Sequence, residues 1–149
     1  MESAQNDLMY FMHYFDRYDG HRKSEQYETA LRDKVAARME ALVDDPASMH
    51  IRVDVEYLCA GAEALIACRR LLKNTYPFAY YLPKRNSKEL FEHLQAQLEG
   101  VTETLAGLLE KEGEPDKACI VDTTADATLR LKHMKELLES RPAEPDTWE

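Results

Sequence analysis

Apolar residues recur along this chain at intervals of three and four, which is the period of an α-helix, and no alternating strand pattern persists. The period predicts an all-α fold with about five helices, at residues 5–18, 24–44, 48–82, 87–111 and 116–140, and a loose tail at 141–149. Short turns between long helices favour antiparallel neighbours. We therefore expect an elongated antiparallel helical bundle with one long central helix.

Two residues that disfavour helices divide this pattern. Gly20 lies in RYDGH and suits the end of a helix, so it is expected to separate the first helix from the second. Pro77 lies inside the third and longest segment, where it should bend or break the helix. The apolar face of the first helix is expected to consist of Leu8, Phe11, Met12 and Phe15.

The composition narrows the class of partner. The chain has 149 residues, enough for one domain with a sizeable core. Its formal net charge of −9 disfavours phosphate backbones, whose contacts come mainly from Lys and Arg, so we expect no nucleic-acid partner and favour a basic protein surface. No apolar run approaches the roughly 20 residues of a membrane span. The N-terminus also lacks the basic and apolar regions of a secretory signal.

Catalytic and metal-binding patterns are not found in the sequence. It contains no glycine-rich phosphate loop, no nucleophile elbow and no HExxH motif, and its five histidines are scattered. The spacing of Cys59, Cys68 and Cys119 matches no zinc pattern, so these are expected to be reduced core residues of a cytosolic or nuclear protein. We predict no catalytic residue, no metal site and no cofactor in this chain.

Two charged residues fall on apolar helical faces. Arg69 lies between Leu65 and Leu72 in the apolar arc of the third helix. Because burying a lone cation is costly, Arg69 is expected to form an ion pair or a carbonyl contact that ties the bundle together, with a binding role as the alternative. Glu28 projects within the apolar arc of the second helix. This acid either complements the helix dipole in a first turn or indicates that the face meets a partner.

Four acids form an acidic ridge on the fourth helix, within a narrow arc opposite its leucine stripe: Glu92, Glu99, Glu103 and Glu110. A charged outer face is ordinary on an amphipathic helix. The alternative is that the aligned acids form a docking surface for a basic partner.

Several segments, taken in order, resemble the Ariadne domain. YFMHYFDRYDGH is similar to the family's RYxxYYNRYxNH opening, and ETALRDKVAARMEAL continues it. IACRRLLKNTYPFAYYL resembles a cysteine–arginine segment followed by an aromatic run that ends in YYL, which implies a packing role for that run. FEHLQAQLEGVTETLAGLLE resembles the family's FExxQxxLExxxExLSxxLE helix. The resemblance covers essentially the whole chain, 1–149, as far as Trp148.

The resemblance implies a regulatory role in a RING-between-RING ubiquitin ligase, in the cytoplasm or nucleus. Such a ligase takes ubiquitin onto a cysteine of its second RING, and the Ariadne domain is implied to fold back on that RING and block the cysteine. Binding to a neddylated cullin–RING ligase is implied to relieve the block. The zinc-binding catalytic RINGs are expected to be missing here, because three cysteines cannot build them.

The resemblance also implies which residues face the second RING. QYETAL places the family's aromatic–glutamate pair at Tyr27 and Glu28, and LEGVTETLAG places its other glutamate at Glu103. Where the family often has Phe, this chain has Tyr27. The carboxylates would accept hydrogen bonds from the RING, and the aromatic ring would anchor it.

Three hypotheses follow from the sequence. The first is a non-catalytic regulatory domain of a larger ubiquitin ligase. The second is a free-standing helical-bundle adaptor that kept the fold and lost the ligase. The third is an enzyme in its own right, which would need a pocket with several polar or titratable groups that the sequence does not offer.

Overall fold

Four α-helices make up the described part of the chain in the computed structural model, which covers residues 2–47, 50–81 and 86–139. They are α1 (Glu2–Asp44), α2 (Arg52–Tyr81), α3 (Asn86–Glu110) and α4 (Lys117–Glu139). The described residues contain no strand, so the predicted all-α class is confirmed. The predicted tail at 141–149, with Trp148, lies outside the described residues.

The predicted break at Gly20 is wrong, because α1 continues through it for 43 residues as one helix. A glycine inside a helix costs only about 1 kcal/mol relative to alanine. Tyr18 and His21, on either side of Gly20, are half-buried and buried, and their packing favours helix continuity. The positive φ that often marks a helix end occurs instead at Gly113, with φ 92°, in the turn between α3 and α4.

The predicted apolar face at the start of α1 is also wrong, since Leu8, Phe11, Met12 and Phe15 are all exposed. The side that meets α2 carries tyrosines at every fourth position: Tyr14 is buried, and Tyr10 and Tyr18 are partly buried against the core. Tyrosine can pack its ring while its hydroxyl reaches a polar partner. The hydroxyl of Tyr10, for example, donates to the carbonyl oxygen of Tyr80 at 3.3 Å.

Helix α2 is not broken at Pro77 and runs on to Tyr81. Pro77 lacks an N–H, so only one bond of the helical ladder, to the carbonyl of Lys73, is lost. Tyr76 and Ala79, on either side of Pro77, are buried in the core. Their packing therefore holds the last turn of the helix in place.

Helix α2 lies at the centre of the fold and packs against all three other helices. It is antiparallel to α1, because Tyr10 contacts Tyr80 near one end and Arg32 pairs with Glu63 further along. The core is mostly apolar and includes Leu58, Leu65, Leu72, Phe91, Leu98, Leu105, Ile120 and Met134. Gly61 allows close approach of α4, because an added Cβ would lie 3.3 Å from Thr124 Oγ1.

Side chains form a cap at the start of one helix and a link between the ends of two others. Asp116 precedes α4 and accepts a hydrogen bond from the backbone N–H of Cys119 at 3.1 Å, as an N-cap does. Near the C-terminus of α1, Arg38 donates hydrogen bonds to the carbonyl oxygens of Leu109 and Gly113, around the end of α3. The C-terminal part of α1 is thereby attached to the end of α3.

The three cysteines are free thiols, but only Cys68 is a core residue. Cys59 and Cys119 are exposed, which corrects the expectation that all three are buried. The pattern misled because short helical segments around these cysteines are apolar on more than one side. Within the described residues, none of the four helices combines the length and hydropathy that crossing a bilayer demands.

Candidate functional site

Arg69 is the centre of the most connected polar cluster among the described residues. It lies on the buried face of α2, and its side chain is only 8% exposed. Its Nε donates to Glu28 Oε1 of α1 at 3.0 Å, and its Nη1 donates to Glu103 Oε1 of α3 at 2.6 Å. One guanidinium therefore joins three helices. It also brings together two of the three residues that the resemblance assigned to an interface.

The two carboxylates differ in their exposure. The side chain of Glu28 is 8% exposed, whereas that of Glu103 is 58% exposed. Burial raises the pKa of Glu28, Arg69 offsets only part of this effect, and the negative charges of Glu110 and Glu103 add to the rise. Burial works against the charge of Arg69, but Glu103 and Glu28 outweigh it and hold the pKa of Arg69 above its ordinary value. The cluster is thus a cation between one buried and one surface acid.

His21 extends this cluster toward a second acid of α3. Its ring stacks on Tyr76 with centroids 5.4 Å apart, and its Nδ1 lies 3.4 Å from Nη1 of Arg69. Burial and the neighbouring Arg69 lower the pKa of His21, so the ring is neutral and Nδ1 accepts from the guanidinium. Nε2 lies 3.5 Å from the Tyr76 hydroxyl, which donates to Glu99.

Tyr27 lies outside this hydrogen-bonded cluster, although it directly precedes Glu28. Its side chain is 72% exposed. It borders a surface groove between α1 and the end of α3, with a volume of about 600 Å³, which Leu31, Val35 and Glu110 also line. The groove also carries charges of both signs, from Lys34, Arg38, Lys111 and Glu112. Tyr27 therefore offers an aromatic ring beside a groove that is partly apolar and partly charged.

The acidic ridge of α3 is not a uniformly solvated face. Glu92 and Glu99 are half-buried, and they accept hydrogen bonds from Tyr14 of α1 and Tyr76 of α2. Only Glu103 and Glu110 are exposed. The difference arises because α3 lies beside both α1 and α2, so part of its acidic side meets tyrosine hydroxyls and Arg69.

Sequence reasoning did not include His21, Tyr76 or the link through Arg69 in the site. Their spacing carries a signal, because His21 precedes Glu28 by seven residues and Tyr76 follows Arg69 by seven. Residues seven apart lie two turns apart on one helical face. A polar pair of this kind on a buried face indicates that a polar partner must come from another helix.

The exposed groups around Arg69 and Tyr27 are of the kinds that bind a partner protein. They include the Tyr27 ring, the carboxylates of Glu103 and Glu110, and the ammonium groups of Lys34 and Lys111 at the groove. A carboxylate fixed by an arginine still has lone pairs to accept hydrogen bonds from a partner. The arrangement therefore suits a protein surface that combines hydrogen-bond donors for Glu103 with apolar side chains for Tyr27.

Comparison with known proteins gives a consistent result. The family model described as the Ariadne domain matches residues 9–122. The chain is 40% identical over 110 residues to a potential E3 ubiquitin-protein ligase, ariadne-2, from Caenorhabditis elegans, an alignment that covers 72% of this chain and 22% of that protein. It is 35% identical over 111 residues to E3 ubiquitin-protein ligase ariadne-1 from Drosophila melanogaster, covering 74% of this chain and 22% of that protein.

A mammalian relative gives a similar alignment. The chain is 33% identical over 114 residues to E3 ubiquitin-protein ligase ARIH2 from Mus musculus, covering 76% of this chain and 23% of that protein. The chain thus spans only about a fifth of the length of these relatives.

Proposed function

Since this chain belongs to the Ariadne domain family, we propose that it is the regulatory domain of a RING-between-RING ubiquitin ligase and inhibits the second RING of that ligase. The catalytic RINGs and their zinc ions lie outside this chain, and the inhibited partner binds intramolecularly. The relatives named above are E3 ubiquitin ligases, which supports a ligase as the parent protein.

The proposed inhibition is steric and electrostatic. Tyr27 anchors the RING through its ring, and the acids Glu28 and Glu103 supply negative charge where the RING presents hydrogen-bond donors. The domain then covers the cysteine that accepts ubiquitin. Hydrogen bonds to charged groups contribute about 1.5–3 kcal/mol each, so losing one shifts a closed–open equilibrium about tenfold or more.

The observation that best supports this proposal is the shared bond of Arg69. Glu28 comes from α1 and Glu103 from α3, yet one guanidinium holds both at fixed positions. The exposure of Tyr27, which directly precedes Glu28 in the sequence, adds an aromatic anchor. Buried hot spots with an aromatic centre and surrounding polar groups are typical of protein interfaces.

Release is proposed to come from a neddylated cullin–RING ligase. A partner shifts an equilibrium only by its difference in affinity for the two states. The cullin complex must therefore bind the open ligase more tightly than the closed one. The net charge of −9 favours a basic surface on that partner.

The proposal is tested by adding this chain to the catalytic part of a ligase of this family that lacks its own Ariadne domain. The readout is the rate of ubiquitin discharge from the second RING. We expect inhibition by the wild-type chain, and about tenfold weaker inhibition by Tyr27→Ala and by Glu103→Ala. Glu56→Ala, an exposed acid on α2, serves as the control and should inhibit like the wild type.

Two results would count against this function. The first is a wild-type chain that leaves discharge unchanged at high concentration, which would favour a helical-bundle adaptor. The second is an inhibited mixture whose discharge does not recover when a neddylated cullin–RING ligase is added, which would remove the proposed release step.

A further inference from the structure

The burial of Glu28 conflicts with a direct contact to a partner. Its side chain is 8% exposed, and the oxygen that bonds Arg69 is held at 3.0 Å. Glu28 lines a surface groove together with Arg22, Arg32, Arg70 and Glu25. Each arginine is paired with an acid, and all these ion pairs are more exposed than Glu28. A partner would therefore meet the ion pairs before it reached Glu28.

We infer that Glu28 is a positioning residue, which fixes Arg69 so that Arg69 in turn fixes the carboxylate of Glu103 at the surface. This inference rests on the proposed function and assigns its residues different roles. Glu103 and Tyr27 touch the partner, whereas Glu28 and Arg69 act through Glu103.

The shape of the guanidinium makes this coupling possible. Its Nε and Nη1 are in one rigid plane, and each donates to a different helix. Fixing the Nε–H on Glu28 therefore sets the direction of the Nη1–H toward Glu103. The ring of His21 accepts from the same Nη1 atom at 3.4 Å and limits rotation from the other side.

The charges in the unit favour the same arrangement. Two carboxylates share one guanidinium, so the three ionised groups together keep a net negative charge. Glu103 is 58% exposed and can accept further hydrogen bonds, while Glu28 is only 8% exposed.

The test uses variants of the whole 149-residue chain in the discharge assay. Arg69→Lys keeps the charge and removes the rigid fork. Glu28→Met removes the buried acid, and the double variant Glu28→Met/Arg69→Met removes both charges and leaves apolar side chains that can pack. The control is Glu25→Met, one turn before Glu28, because Glu25 pairs with Lys73 and Arg70 on the surface.

We expect four results in the inhibition assay. Arg69→Lys and Glu28→Met each raise the concentration for half inhibition about tenfold. Glu28→Met adds no further loss when Arg69 is already Lys. The double Met variant, which keeps its melting temperature because a buried pair replaced by packed apolar groups is tolerated, inhibits as weakly as Arg69→Lys. Glu25→Met inhibits like the wild type.

Opposite results would overturn the inference. One is full loss from Glu28→Met in the Arg69→Lys background, which would place Glu28 in direct contact with the RING. Another is wild-type inhibition by the double Met variant, which would leave both residues with a structural role only. A third is an equal loss of inhibition from Glu25→Met, which would show that inhibition depends on net charge and not on the contacts of Arg69.

A measurement on the free chain separates this inference from the proposed function. Hydrogen exchange of the Arg69 Nε–H, followed by NMR, should be at least about tenfold faster in Glu28→Met than in the wild type. Unchanged exchange would show that Glu28 does not fix Arg69 and would overturn the inference. A wild-type chain that fails to inhibit would instead remove the proposed function, and the exchange rates would still decide the coupling.

Discussion

At the scale of single residues, Arg69 shows how one buried charge can specify the relative positions of three helices. Replacing a buried ion pair by apolar groups often costs no stability, whereas removing one partner costs about 3–5 kcal/mol. The gain from Arg69 is therefore in specificity. Its two bonds are satisfied only when α1 and α3 take one register along α2.

His21 should make the stability of this protein depend on pH. Burial first, and then Arg69, lower the pKa of His21 from its ordinary value of 6.5. The unfolded chain therefore binds a proton near pH 6.5 while the folded chain resists it. Stability falls as the pH drops below 6.5, by at most about 1.4 kcal/mol per pH unit, until the lower folded-state pKa is passed.

The measurement is urea unfolding of the wild type and of His21→Gln between about pH 7.5 and pH 5, a range that brackets the ordinary pKa of histidine. The difference in the free energy of unfolding between the wild type and His21→Gln should shrink as the pH falls, because only the wild type loses stability through His21. The charges that act on His21 in the wild type, those of Arg69, Glu99, Glu103 and Arg17, all remain in the variant. His133→Gln, an exposed site on α4, is the control. Parallel curves for wild type and His21→Gln would contradict the prediction.

At the scale of elements, the continuity of α1 leads to a prediction about its glycine. Nothing lies within 4 Å of a Cβ added at Gly20, and its backbone is helical. Gly20→Ala should therefore raise the free energy of unfolding by about 1 kcal/mol. Gly113→Ala should lower it by a similar amount, about 1 kcal/mol, because its φ is 92°. Chemical unfolding of both variants is the measurement, and a destabilised Gly20→Ala would favour a helix end at that point.

Gly61 makes the opposite case for a glycine inside a helix. An added Cβ would meet Thr124, Ile120 and Leu109 at 3.3–3.4 Å, so Gly61→Leu should destabilise the fold by about 3 kcal/mol. Gly107→Leu is the matched control, because nothing lies within 4 Å of that position. Equal melting temperatures for the two variants would rule out close packing at Gly61.

The elements also show which part of the fold is predictable from local pattern. The predicted helices at 87–111 and 116–140 agree with α3 and α4 to within about one residue, because a leucine stripe and an N-cap define them. The predicted helix end at Gly20 was wrong, and α2 is not broken at Pro77, for one reason. Each rested on a local preference of about 1–3 kcal/mol, which packing of neighbouring residues against α2 outweighs.

The candidate site was predictable only in part, because its geometry depends on contacts between helices. Periodicity identified Arg69 and Glu28 as charges on apolar faces, and resemblance added Tyr27 and Glu103. Neither could place Glu28 and Glu103 on the same guanidinium, since α1 and α3 are distant in sequence. The half-burial of Glu92 and Glu99 was missed for the same reason.

At the scale of the whole molecule, α2 is covered by three helices while α1 packs mainly on α2. Buried backbone in the centre opens only with global unfolding, whereas a helix with one main neighbour can open alone. We expect amide hydrogens around Tyr10 to Tyr18 to exchange faster than those around Leu65 to Leu72. Mass spectrometry of deuterium uptake would measure this, and equal protection in both segments would contradict it.

The length of α1 has a mechanical consequence. At about 1.5 Å per residue its 43 residues span about 65 Å. Its ties to the other helices are distributed along that rod, at Tyr10, Glu28, Arg32 and Arg38. A load along the axis is shared by all these ties in shear, but a load across one end breaks them one after another, as in peeling. A partner that pulls at an end of α1 therefore needs far less force than one that pulls along it.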